Sequence, residues 1–94
     1  MSDTDLYQKA LYKWGTDAQL DMVIEECAEL INAIQKWRRH RVDSIAVLEE
    51  GVDVELCLEQ LKVILDAPTL WANVRKDKLE RLAKLLALES MKGE

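Results

Sequence analysis

Two pairs of carboxylates in this chain have the spacing of a cation site. Glu26 and Glu29 belong to "EECAE", and Glu50 and Asp53 to "EEGVD". Members of each pair are three residues apart, which makes them neighbours on one face of a helix. Neither pair sits on the polar side of its segment. At about 100° per residue, Leu20, Val23, Ile24, Cys27, Leu30, Ile31 and Ile34 form an apolar stripe, and Asp21, Glu25, Asn32, Gln35 and Lys36 lie opposite it. Glu26 and Glu29 fall between, on an arc shared with Met22, Ala33 and Trp37. Glu50 and Asp53 share an arc with Ala46, Cys57 and Ile64, flanked by apolar residues on both sides, while Glu55, Glu59 and Lys62 take the polar face. A carboxylate among apolar neighbours must be paired or bind a cation, because burying it alone is costly. Four acids brought together raise one another's proton affinity unless a cation is present. All-oxygen ligation suits Mg²⁺ or Mn²⁺. A single E-x-x-E on a helix is ordinarily solvated surface; two such pairs, both off the polar face, favour a site.

The elements that must position these acids are helices. Leu, Ala, Glu and Lys dominate a chain of 94 residues with three Gly and one Pro, a composition that favours helix. The length allows one domain, residues 1–94. Four helices are expected, with breaks near Gly15, His40 to Ser44, and Asp66 to Pro68. The first spans about Thr4 to Trp14. The second runs from Thr16, where "TDAQ" reads as a capping box, to about Arg39. The third starts at Asp43 or Ser44 and ends near Leu65, and the fourth covers about Thr69 to Leu88 before a frayed "ESMKGE" tail. So short a link between the second and third helices makes an antiparallel hairpin. With its turn between His40 and Asp43, Glu29 and Asp53 stand at nearly the same height, roughly 15 Å from the turn. The fold class expected is therefore all-α: an antiparallel hairpin with flanking helices, assembling into a bundle by oligomerisation. The apolar residues of the third helix wrap around most of its circumference, more than one small chain covers.

Composition narrows the partners. Thirteen Lys and Arg against 18 Asp and Glu give a net charge of −5, which does not suggest nucleic-acid binding. The apolar runs are too short to span a membrane, and "MSDTDLYQKA" is no secretory signal. Cys27 and Cys57 lack metal-site spacing; as free thiols and small core residues they fit a reducing, cytoplasmic setting.

"EECAE" followed by "EEGVD" resembles the E-E-x-x-E … E-x-x-D signature of the MazG-like nucleoside triphosphate pyrophosphohydrolases, members of the all-α NTP pyrophosphatase superfamily. "KWGTDAQLDMVIEECAELINAIQKWRR", "LEEGVDVELCLEQLK" and "RKDKLERLAKLL" resemble compact bacterial and phage members, so the similarity covers roughly residues 10 to 88. It implies Mg²⁺-dependent hydrolysis of a (d)NTP to the monophosphate and pyrophosphate. It also implies a homodimer or homotetramer with sites near the interface. Glu26, Glu29, Glu50 and Asp53 match the metal-binding, catalytic acids; Glu25 matches the first Glu of the motif, although its register points outward. Cations for the triphosphate must come from Lys36, Arg38, Arg39 or Arg41 at the hairpin end, or from Arg75, Lys78 and Arg81 on the last helix. Lys78 in the closing helix resembles the family pattern, while cations at helix ends more often just complement the dipole. Many relatives carry an Asn after that Lys, and "KDKLERL" has none. Trp37, beside the acidic arc, is the expected base-stacking residue, though a Trp at helical spacing is more often core; Trp14 and Trp71 are the other candidates. His40 reads as a turn residue.

Three other classes fit less well. A non-catalytic dimeric helical interaction or regulatory module explains the amphipathic helices but not the inward acids. A di-iron carboxylate bundle needs Glu-x-x-His pairs, and the chain has one His. A chorismate-mutase-like dimer needs cations where this chain has acids.

Overall fold

The computed structural model describes residues 1–92, and among them every regular element is helical. Helix α1 spans Asp3–Trp14, α2 Thr16–Arg38, α3 Ser44–Leu65 and α4 Pro68–Lys92. Each boundary has a local cause. Ser2 caps α1 through a capping box: its hydroxyl accepts from the Asp5 N–H, and the Asp5 carboxylate accepts from the Ser2 N–H, both at 3.2 Å. Gly15 ends α1 and starts α2 in one residue, at φ +86°, which an L side chain rarely adopts. The expected Thr16–Gln19 capping box does not form, because Gly15 is the N-cap and α2 has no side-chain cap. Thr16 is already the first helical residue.

Helix α2 ends in a Schellman turn. The Arg41 N–H donates to the Lys36 carbonyl at 2.9 Å and the His40 N–H to the Trp37 carbonyl at 3.0 Å. His40 takes the left-handed position at φ +59°, where Gly is usual. Asp43 then caps α3, its carboxylate accepting from the Ile45 N–H at 3.0 Å. Asp66, at φ +48°, closes α3, and Pro68 opens α4 at a position that needs no N–H donor. Helix α4 continues past Leu88 to Lys92, so Glu89 to Lys92 are helical rather than frayed; Gly93 and Glu94 lie outside the described residues.

Helices α2 and α3 form the main packing interface, and α1 packs on both. Helix α4 makes no comparable packing with any other element. The Cα radius of gyration is 17.2 Å, against about 12 Å for a compact domain of this length. Burial is correspondingly thin: only Gln19, Ala33 and Cys57 are buried among the described residues. The buried face of α2 is rotated from the expected stripe. Gln19 and Ala33 lie innermost, whereas Ile24 and Ile31 remain 68% and 59% exposed.

Candidate metal centre

The α2–α3 interface positions the acids. Glu26 on α2 stands one turn beyond Val23 and one before Leu30, on the side that turns toward α3. Glu50 precedes Cys57 by two turns on the corresponding side of α3, and Cys57 is 7% exposed. Glu26 and Glu50 are consequently half-buried, while Glu29 stays exposed at the edge. One carboxylate oxygen from each of Glu26, Glu29 and Glu50 lies within 4.8 Å of the other two. No ion pair involves any of them; the only salt bridge among the described residues is Lys62–Glu59.

Electrostatics follow from that crowding. Burial, then the charges of Glu29, Asp53 and Glu50 and a hydrogen bond with Glu29, push the Glu26 carboxyl above the usual carboxylate range. Burial, then Glu29, Asp53, the Glu29 hydrogen bond and Glu49, push Glu50 the same way. Burial, assisted by Glu26, Asp53 and Cys27, likewise raises the Cys57 thiol, which borders the acids. Glu26 Oε2 and Glu50 Oε2 are both buried with no hydrogen-bond partner. Two half-buried, unpartnered acceptors facing a third carboxylate are an arrangement that a hard divalent cation would satisfy.

The structure thus groups three of the four acids read from the sequence. Asp53 is exposed and outside the tight group, yet its charge acts on both Glu26 and Glu50, which puts it at the rim. Glu25 is exposed. The cations and aromatic residues expected at the substrate are not gathered there. Lys36, Trp37 and Arg81 are exposed, and Lys78 lines a separate cleft between α3 and α4. Trp71 borders that cleft too, with Lys62 Nζ 5.0 Å from its ring centroid. Sequence reading missed Gln19, 2% exposed with its Oε1 unpartnered. The signal was the spacing Gln19, Val23, Glu26, Leu30, Ala33, which marks the true inner face of α2. No family model, curated protein or solved structure matches the chain.

Proposed function

We propose that this protein is a divalent-metal-dependent nucleoside triphosphate pyrophosphohydrolase, cleaving (d)NTP between the α and β phosphates. The observation that carries the reading is the convergence of Glu26, Glu29 and Glu50 with two buried, unpartnered oxygens and no ion pair to any of the three among the described residues. In this reading α2 and α3 form an antiparallel hairpin, and Glu26, Glu29 and Glu50 hold Mg²⁺ or Mn²⁺ with Asp53 at the rim. When bound, the ion neutralises triphosphate charge and polarises water for in-line attack. The chain's own part is to hold the carboxylates at the edge of a helix–helix seam, where water is partly excluded. One carboxylate takes a proton from the attacking water. The water oxygen bonds to the α-phosphorus, the bond to the bridging oxygen breaks, and pyrophosphate leaves. The resemblance assigns Lys36, Lys78 and Arg81 to the phosphates and Trp37 to the base, although in one chain they are not gathered at the acids and Lys78 lines the separate α3–α4 cleft. Assembly as a homodimer or homotetramer, which the resemblance implies, fits the thin core. The free thiols Cys27 and Cys57 suit a cytoplasmic enzyme.

Incubation with a panel of NTPs and dNTPs plus Mg²⁺ tests the reading. Monophosphate and pyrophosphate in equal amounts are expected. Orthophosphate as sole product would assign a different bond. No turnover of any nucleotide, with metal affinity unchanged in Glu50→Gln, would leave the second reading, a non-catalytic helical interaction module, which the open cleft along α4 favours.

A further inference from the structure

We propose that the turn between α2 and α3 is a docking tip for the phosphodiester backbone of a nucleic-acid strand, held by Arg38, Arg39 and Arg41. Lys36 and Trp37 stay with the nucleotide reading above, and the tip does not depend on that reading, so either can fail alone.

Charge is sorted along the chain. Residues 36–41, "KWRRHR", hold four cations and no acid, and the other 88 residues hold nine cations against all 18 acids. A net charge of −5 argues against nucleic-acid binding by the surface as a whole, not by one segment of it. The nearest acids in sequence are Glu29 and Asp43. Asp43 is engaged as the α3 cap, its carboxylate accepting from the Ile45 N–H at 3.0 Å. Arg39 lies ten residues past Glu29, roughly 15 Å along the helix axis, so the tip and the grouped acids are separate surfaces. Arg38, Arg39, His40 and Arg41 are all exposed, and no ion pair among the described residues involves them.

The helix end does not account for these cations. Lys or Arg near a helix C-terminus ordinarily serves unpaired carbonyls and the dipole. Here backbone N–H groups have taken those carbonyls. Arg39 donates to Gln35 and Lys36 at 3.3 and 3.2 Å, His40 to Trp37 at 3.0 Å and Arg41 to Lys36 at 2.9 Å. The positive end of α3 follows the negative end of α2 after a short turn, and its first turn carries no acid. The same hydrogen bonds fix the backbone from Arg39 to Arg41, with His40 at φ +59°. The guanidinium groups thus stand on a set turn rather than a loose tail, which lowers the ordering cost of binding.

Residue type selects the partner. Three of the chain's five Arg fall in these four positions, whereas outside residues 36–41 Lys outnumbers Arg seven to two. A planar guanidinium gives a phosphate two parallel hydrogen bonds, where an ammonium is a point charge. A carboxylate accepts the same fork, but stable protein interfaces use roughly 20–30 residues a side, far more than this tip. A strand repeats its phosphates along its length, so a few Arg suffice for weak, sequence-independent binding.

Fluorescence anisotropy of the full chain with a labelled oligothymidylate strand, in EDTA, tests the assignment. Without divalent ions the grouped acids repel phosphate, so binding reads the tip. Wild type is expected to bind at about 50 mM salt, its log affinity falling against log salt with a slope of about −2 for three phosphate contacts. R39Q/R41Q should bind about tenfold more weakly, with a slope of about −0.7. K9Q/K13Q, which removes two exposed cations of α1, should bind as wild type does. No binding by wild type, or equal losses in the two double variants, would overturn the proposal. So would tighter binding to phosphatidylserine vesicles than to the strand, which would make the tip a membrane contact. Should R39Q/R41Q fail to fold, R38Q/R41Q is read in its place by the same criteria.

Discussion

Two sides of α3 depart from the usual partition of polar and apolar residues in opposite directions. Toward α2 it presents Glu50 beside the buried Cys57, where a packed helix pair normally has apolar side chains. Toward α4 it presents Val54, Leu58 and Leu65 to an open cleft, where solvent normally meets polar ones. The first side is complete in shape but not in charge: helices meet and carboxylates are left without a counterion. The second is nearly complete in charge but not in shape, since its ionic groups are exposed or tied, as Lys62 is to Glu59, while its apolar walls lack a filling. The first is a defect of charge and the second a defect of packing.

The largest expected effect breaks the charge side. Glu50→Gln should lower pyrophosphate release by about 100-fold or more, the range for loss of a group acting in proton transfer, measured at saturating Mg²⁺. The same substitution should leave the proposed assembly unchanged by light scattering, which separates the two sides of α3.

A packing change on the same side is smaller. Cys57→Leu forces extra volume into the α2–α3 seam and should cost about 1–3 kcal/mol in urea unfolding. Leu58→Ala faces the open cleft; in the proposed assembly it should instead weaken association with little change at the acids, read as a rise in the dissociation constant.

Proton linkage sharpens the contrast further. Glu26 and Glu50 have folded-state proton affinities above the ordinary carboxylate value of 4.5. Stability from this source is fully present below that value and is lost as pH rises through the elevated folded values. Without divalent ions, thermal midpoints should therefore fall as pH rises from mildly acid toward neutral. Mg²⁺ should restore them by binding the folded state. Glu26→Gln with Glu50→Gln should flatten the profile. An unchanged slope in that double variant would remove these carboxyls as the cause.

Two gains of stability complete the series. Gln19→Leu removes a buried, unpartnered carbonyl and should stabilise the chain by about 1 kcal/mol. Gly51→Ala, in mid-α3 with nothing within 4 Å of the added Cβ, should gain roughly 0.5–1 kcal/mol as a helix effect. If a second copy's backbone approaches Gly51 closely, the sign reverses in the dimer, so denaturation at low and high concentration reads that distance.

Much of this was legible in the sequence because helices are local. Breaks at Gly15, Asp43 and Asp66 followed from turn and cap chemistry, and three-residue spacing paired Glu26 with Glu29; the same spacing paired Glu50 with Asp53, but Asp53 stands outside the tight group. What failed were judgements of rotation and reach. The apolar stripe through Ile24 and Ile31 looked like the core face, but Gln19 and Ala33 are the residues turned inward. Hydrophobicity alone does not say which of two apolar arcs meets a neighbour in the same chain. Thr16 and Gln19 spelled a capping box that Gly15 pre-empts. The cleft was invisible because it depends on how sharply Asp66 and Pro68 turn the chain, an angle that no spacing pattern encodes. Only the apolar residues all round α3 hinted at it.

The isolation of α4 also has a kinetic consequence. Contacts among α1, α2 and α3 lie within one chain, so their collapse is first order in protein. In the proposed assembly, helix α4 would gain its packing only on encounter with another molecule, and its consolidation would be second order. Refolding should then show one phase independent of concentration, carrying the α2–α3 seam, and a later phase that quickens in proportion to protein concentration as α4 docks.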